Sequence, residues 1–208
     1  MRNPFEKRPF VLDISDSSIE LLQLKKSFDG KLSLVNFGRT KMDEGTIRDS
    51  KVVDRSRFEE KLRELISSVG IKNLGTNKII FSLPSSKTFL HVFSLPSDIS
   101  RKELPHTLES QAFKSIPLTP EEVYFDFQIA SKKENHQKIL YVAAPREIVD
   151  DYVNIFHDLE LKIVALDIES ASLGRALKAQ ASPMGSTLII DIGARKTAMT
   201  VLRKGSIR

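Results

Sequence analysis

Two segments of the chain share one outline: an apolar strand ending in Asp-Ile, a tight turn of small or polar residues, and a second strand. The first runs Phe10-Val11-Leu12-Asp13-Ile14-Ser15-Asp16-Ser17-Ser18-Ile19, and the second Leu188-Ile189-Ile190-Asp191-Ile192-Gly193-Ala194-Arg195-Lys196-Thr197. A tight turn between strands aims several N–H groups into one concavity, which suits phosphate oxygens. Glycine lets the backbone approach closely, and serine or threonine hydroxyls add donors. A carboxylate at the strand end cannot donate to phosphate, but it can hold a hydrated magnesium ion. Two such turns facing one another would grip a nucleoside triphosphate from both sides. The candidate contacts are Asp13, Ser15, Asp16, Ser17 and Ser18 in the first turn and Asp191, Gly193, Ala194 and Thr197 in the second. Asp13 and Asp191 are the candidate metal ligands, acting through water.

The two turns are unequal. Asp191, Gly193 and Thr197 supply carboxylate, close approach and hydroxyl. In the first turn Ser15 stands where glycine would serve best, and its Cβ costs about 1–2 kcal/mol if the backbone is left-handed. Asp16 adds a negative charge that repels phosphate unless it joins Asp13 at the metal. Arg195 and Lys196 could approach phosphate and offset it; the simpler reading of Arg195, Lys196, Arg203, Lys204 and Arg208 is a solvated edge. Other chemistry is weakly signalled. His91, His106, His136 and His157 show no helical metal-ligand spacing, Glu121-Glu122 reads as a solvated turn before a strand, and no local signature supports a Ser-His-Asp arrangement. No catalytic residue is assigned.

The elements that must position these turns are legible in the pattern. Residues 9–15, 18–26 and 31–40 read as strands, with a hairpin signal at Phe28-Asp29-Gly30-Lys31. Residues 41–53 read as polar and irregular. A helix over about 56–69 carries Phe58, Leu62, Leu65, Ile66 and Val69 at helical spacing, with Ser56 and Glu59 as a capping box. Lys78–Leu83 reads as a further strand. Next come a strand at 86–95, a helix at 100–115, strands at 123–131 and 137–144, a helix opened by Pro145, and a strand at 161–168. This βαββαβ order is that of a ferredoxin-like module, and it reads as an insertion. A small-residue helix, Ser170 to Ala179, leads on to the second turn.

At 208 residues, 40% hydrophobic and 28% charged, the composition fits one medium or two small globular domains. There is no cysteine, so no disulfide framework or thiolate site exists. The net charge of +5 is small and spread out, and does not indicate nucleic acid or anionic lipid. No apolar run approaches a membrane span, and the start of the chain lacks the apolar core of a secretory signal. RNA-recognition domains share the βαββαβ order, but Lys138-Ile139-Leu140-Tyr141-Val142-Ala143 has one aromatic and no glycine, which argues against base stacking.

The whole chain resembles the PilM family of type IV pilus assembly proteins, actin-like and related to the division protein FtsA. The resemblance rests on Val11–Ile19, Phe81-Ser82-Leu83-Pro84, Ile116–Val123, and above all Val142-Ala143-Ala144-Pro145-Arg146-Glu147-Ile148-Val149 and Ala165-Leu166-Asp167-Ile168-Glu169-Ser170. It implies an α/β, actin-like ATPase fold: a first lobe with an inserted, ferredoxin-like 1C-type α+β module and only the start of a second lobe. The implied division is 1–83 as subdomain 1A, 84–166 as the 1C-like module, 167–185 as the return helix of 1A and linker, and 186–208 as the start of the second lobe. The resemblance also implies a cytoplasmic protein that binds ATP and Mg2+. Its partner would be the N-terminal cytoplasmic tail of PilN, docked in a groove between the first lobe and 1C, with other inner-membrane pilus assembly proteins beyond it. The protein would be peripheral at the inner membrane through that partner. Where the family usually has Gly, Ser or Thr, and often Lys, this chain has Ser15, Asp16 and Glu20, so weak or absent ATP binding is expected, and no turnover is expected of a chain of this extent. A chain of this extent is expected to be a fragment of a longer gene product, or a split copy. The competing readings are an FtsA-like tether of division filaments and an actin-fold ATPase or kinase.

Overall fold

Strand β1 (Phe10–Ile14) buries Phe10, Leu12 and Ile14 and turns Asp13 outward, the alternation of a strand with one covered face. The structure, a computed structural model, describes residues 8–70, 74–83, 87–177, 185–193, 196–203 and 206–207. The chain divides into two units, residues 1–86 with 150–169, and residues 87–149 with 170–208.

In the first unit, β1 pairs antiparallel with β2 (Ser18–Lys26), and β2 with β3 (Leu32–Lys41). The hairpin turn forms as its sequence signals: Ser27 N–H bonds Lys31 O at 2.8 Å, and Gly30 takes φ 88°, where a side chain would strain the backbone. Residues 41–53 are more ordered than their polarity suggests. They hold a two-rung hairpin, β4 (Ile47–Arg48) and β5 (Lys51–Val52), whose turn residues Asp49 and Ser50 have φ 52° and 66°. Positive φ at both central residues is the twist that a two-residue hairpin favours.

Helix α1 (Arg55–Val69) buries Phe58, Leu62 and Leu65. The expected capping box of Ser56 and Glu59 is replaced. Asp54, extended at φ −107°, accepts from Arg57 N–H, and Glu59 pairs with Arg55 at 2.7 Å instead. Gly38 of β3 lies under this helix: a Cβ there would fall 2.6 Å from Val69 Cγ2 and 2.8 Å from Leu65 Cδ1.

Parallel pairing extends the sheet on its other side. Strand β6 (Lys78–Leu83) joins β1, and β10 (Lys162–Ile168) joins β6, giving the order β10-β6-β1-β2-β3. The connection between them ends in helix α3 (Arg146–Asp158), whose Tyr152 and Phe156 pack on Phe81 of β6 with ring centroids 4.7 and 5.2 Å away. Parallel neighbours require such a crossover, and the helix supplies the cover for one face. Asn77 and the α3–β10 turn hold the strand starts together: Asn77 O accepts from Lys162 N–H at 2.8 Å, and Asn77 Nδ2 donates to Glu160 O at 2.9 Å.

This pairing puts β10 in the sheet of the first unit. In the second unit β7 (Phe89–Pro96), helix α2 (Leu104–Ala112), β8 (Val123–Lys132) and β9 (His136–Pro145) form a three-stranded antiparallel sheet in the order β7-β9-β8. Leu104, Leu108 and Ala112 of α2 pack on Phe93, Leu95, Ile139 and Tyr141. The βαββαβ order is present along the chain, but its last strand belongs to the first unit's sheet, because α3 carries it back to β6. The second unit also holds helix α4 (Glu169–Ala176) from residue 170 onward, and the sheet β11 (Ser186–Ile192), β12 (Thr197–Arg203) and β13 (Ser206–Ile207). Gly174 lets α4 close on that sheet, since a Cβ would stand 3.2 Å from Leu202 Cδ2.

Candidate functional site: the two aspartate turns

The first turn closes on itself. Ser15 N–H bonds Ser18 O at 2.9 Å, and Ser15 Oγ accepts from Ser18 N–H at 3.1 Å and Ser17 N–H at 3.4 Å. This is a serine turn, in which a hydroxyl stands in for a backbone acceptor. Ser15 does not have positive φ, so its Cβ carries no left-handed penalty. Ser17 O in turn accepts from Met42 N–H at 2.9 Å, tying the turn to the end of β3.

Asp16 reaches away from the turn. Its Oδ1 accepts from the N–H of buried Ser50 at 3.2 Å, and Ser50 O accepts from the hydroxyl of Tyr152 at 3.0 Å. Tyr152 lies among Phe58, Phe81 and Phe156. Burial, then the charges of Asp16 and Asp151, push its hydroxyl far above the ordinary tyrosine range.

A polar row crosses the sheet beside this turn. Asp167 of β10 stands opposite Ser82 of β6, Ser82 opposite Asp13, Asp13 opposite Glu20, and Glu20 opposite Arg39 of β3. Cross-strand partners share a face, so Asp167, Asp13 and Glu20 bring three carboxylates to one side. Glu20 accepts from Ser18 Oγ at 2.9 Å and pairs with Arg39 at 2.8 Å. Among the described residues, no group of three His, Asp or Glu side chains converges as a metal site. Sequence reasoning assigned none of Ser82, Asp167, Arg39, Ser50 and Tyr152 to the site, although Ser82 and Asp167 lie in the motifs that carry the family resemblance. One signal was present for Asp167: Asp167-Ile168 repeats the strand-end Asp-Ile of the other two segments.

The second turn is built differently. Gly193 N–H bonds Lys196 O at 2.9 Å, and a Cβ on Gly193 would lie 3.0 Å from that oxygen. Asp191 pairs in register with Ala198, and Ile192 with Thr197. Adjacent strand residues face opposite ways. Asp191 therefore shares a face with buried Thr200 and Leu202, while Thr197 shares one with exposed Ile190, Ile192 and Met199. The ladder does not bring the expected carboxylate and hydroxyl to one side. Ala194 lies outside the described residues.

Two other expected features resolve as architecture. Glu122 closes a capping box on Thr119, accepting its N–H at 2.8 Å, and this bond holds the carboxyl below its usual range. His91 packs on Phe93, with ring centroids 4.5 Å apart.

Residues 11–207 match the family described as type IV pilus assembly protein PilM. The chain belongs to the PilM family. A chain of the PilM–PilN type IV pilus biogenesis complex is similar with a TM-score of 0.81 and 20% identity, over 99% of this chain and 60% of that one. The cytoplasmic domain of EpsL, an inner membrane component of the Vibrio cholerae type II secretion system, is similar with a TM-score of 0.54 and 14% identity, over 95% of this chain and 68% of that one. A Bacteroides thetaiotaomicron protein with an actin-like ATPase fold and unknown function has a TM-score of 0.54 and 7% identity, over 97% and 67%. The fold is thus actin-like, and this PilM-family chain spans about 60% of the length of the complex chain it matches. No curated protein sequence matches it.

The actin-like ATPase fold implies a nucleotide with its metal. At the first turn the residues do not fit that group. The amides of Ser17 and Ser18, the donors a phosphate would need, already point at Ser15 Oγ, and Asp16, where a hydroxyl donor would serve phosphate, accepts from Ser50 instead.

Proposed function

We propose that this chain works as a type IV pilus assembly scaffold that docks the N-terminal cytoplasmic tail of PilN, and does not turn over ATP. The observation that carries the reading is the likeness, across 99% of the chain, to a chain of a PilM–PilN complex. Membership of the PilM family gives the same direction. The self-bonded first turn favours a scaffold over an enzyme, because its serine amides are engaged within the chain. Among the described residues, no helix is long and apolar enough to cross a membrane. In this reading the protein is cytoplasmic, and PilN provides the link to the inner membrane and to the other pilus proteins there. The expected domain division, as amended at β10, assigns the βαββ sheet to a 1C-type module and β11–β13 to the start of a second lobe.

The test is fluorescence anisotropy with a labelled peptide of the PilN cytoplasmic tail encoded in the same genome. Saturable binding that a scrambled peptide does not reproduce supports the scaffold. Absence of binding by protein shown to be folded by circular dichroism overturns it.

A further inference from the structure

We infer that the first aspartate turn is a structural pin, joining three elements of the first unit, and not a phosphate site. Asp49 and Ser50 of the β4–β5 turn both occupy the left-handed region, which side chains other than glycine adopt at a cost. Such a turn persists only when its surroundings hold it. Ser50 is buried, and both of its backbone polar groups have side-chain partners from distant segments: its N–H donates to Asp16 and its carbonyl accepts from Tyr152. Asp16 belongs to the β1–β2 turn and Tyr152 to helix α3. One residue is therefore the meeting point of the first turn, the small hairpin and the helix that returns the chain to β6.

The residues on either side of Asp16 complete the pin. Ser15 Oγ takes the Ser17 and Ser18 amides, so the turn satisfies these donors from within. Ser18 Oγ donates to Glu20, and Glu20 pairs with Arg39 on β3. Ser15, Asp16 and Glu20, the three residues that look least suited to phosphate, are the three whose side chains make these bonds. A phosphate entering the turn would have to break the Ser15 bonds to the Ser17 and Ser18 amides. The pin is independent of partner docking, so either idea can fail alone.

Amide hydrogen exchange followed by NMR on the full chain, with and without millimolar Mg-ATP, tests it. The Ser50 amide is expected to be protected, and Asp16→Ala is expected to lower its protection about ten-fold or more. Asp16→Asn keeps a carbonyl acceptor and is expected to retain most of the protection. Exchange at Ser17 and Ser18 is expected to be unchanged by Mg-ATP in the wild-type protein, a comparison that stands even if Asp16→Ala does not fold. Protection of Ser17 or Ser18 by Mg-ATP, lost in Asp13→Ala, overturns the inference, as does unchanged Ser50 protection in folded Asp16→Ala.

Discussion

The two aspartate turns differ in where their polar groups go. In the first, Ser15 Oγ draws in two amides and Asp16 spans 34 positions to Ser50, so the turn is anchored in the body of its unit. In the second, one backbone bond from Gly193 to Lys196 closes the loop, and the register sends Asp191 and Thr197 to opposite faces. Both turns are closed by a backbone bond from the residue after Asp-Ile, Ser15 N–H to Ser18 O and Gly193 N–H to Lys196 O, each at 2.9 Å. In the first, serine adds a hydroxyl acceptor to that bond, which glycine cannot supply.

Perturbing the turns should separate them. The largest effect is expected from Asp16→Ala, which leaves the buried Ser50 amide without its carboxylate and should cost about 1–3 kcal/mol in chemical denaturation. Asp16→Asn should lose well under half of that.

Tyr152→Phe comes next, at about 1–2 kcal/mol, because the Ser50 carbonyl loses its donor within a packed aromatic cluster. Its pH dependence carries a sign. The folded protein holds the Tyr152 proton well above the ordinary range, so the native state binds more protons than the unfolded one at alkaline pH. That contribution is fully present below about pH 10, the ordinary tyrosine value, and falls above it by up to about 1.4 kcal/mol per pH unit. Denaturation midpoints measured across alkaline pH should fall less steeply in Tyr152→Phe than in the wild type. Equal slopes would mean that Tyr152 is not held in its neutral form.

Smaller effects are expected closer to solvent. Ser15→Ala should cost about 1 kcal/mol, since water can reach the freed amide of exposed Ser17, while that of buried Ser18 loses its hydroxyl acceptor and keeps little access to water. Gly193→Ala crowds Lys196 O but also restricts the unfolded chain, and the net change should stay below about 1 kcal/mol. A thermal melt in which Gly193→Ala costs more than Asp16→Ala would reverse the contrast and mark the second turn as the more constrained.

Much of the first unit was readable because it depends on local rules. Gly30 marks a hairpin, and Phe58, Leu62 and Leu65 at helical spacing mark a buried stripe. Even so, the cap of α1 went to Asp54 and not Ser56, since both are good caps and only the backbone path into the helix chooses between them. The β4–β5 hairpin was hidden by its composition: Asp49 suits the first turn position, but Ser50 stands where glycine would announce the turn. Of the candidate site, the sequence located the turns but not the partners of their side chains.

The sequence by itself determined the two strand–turn–strand outlines, the apolar faces and the family. Those follow from periodicity, turn chemistry and short motifs, which are written within a few residues. Only the tertiary structure decided that β10 joins β6, that Asp16 serves Ser50, and that Tyr152, 102 positions from Ser50, completes the pin. Those outcomes depend on which surfaces meet across the chain. Alternation tells a strand which face to bury, but not which neighbour to bury it beside.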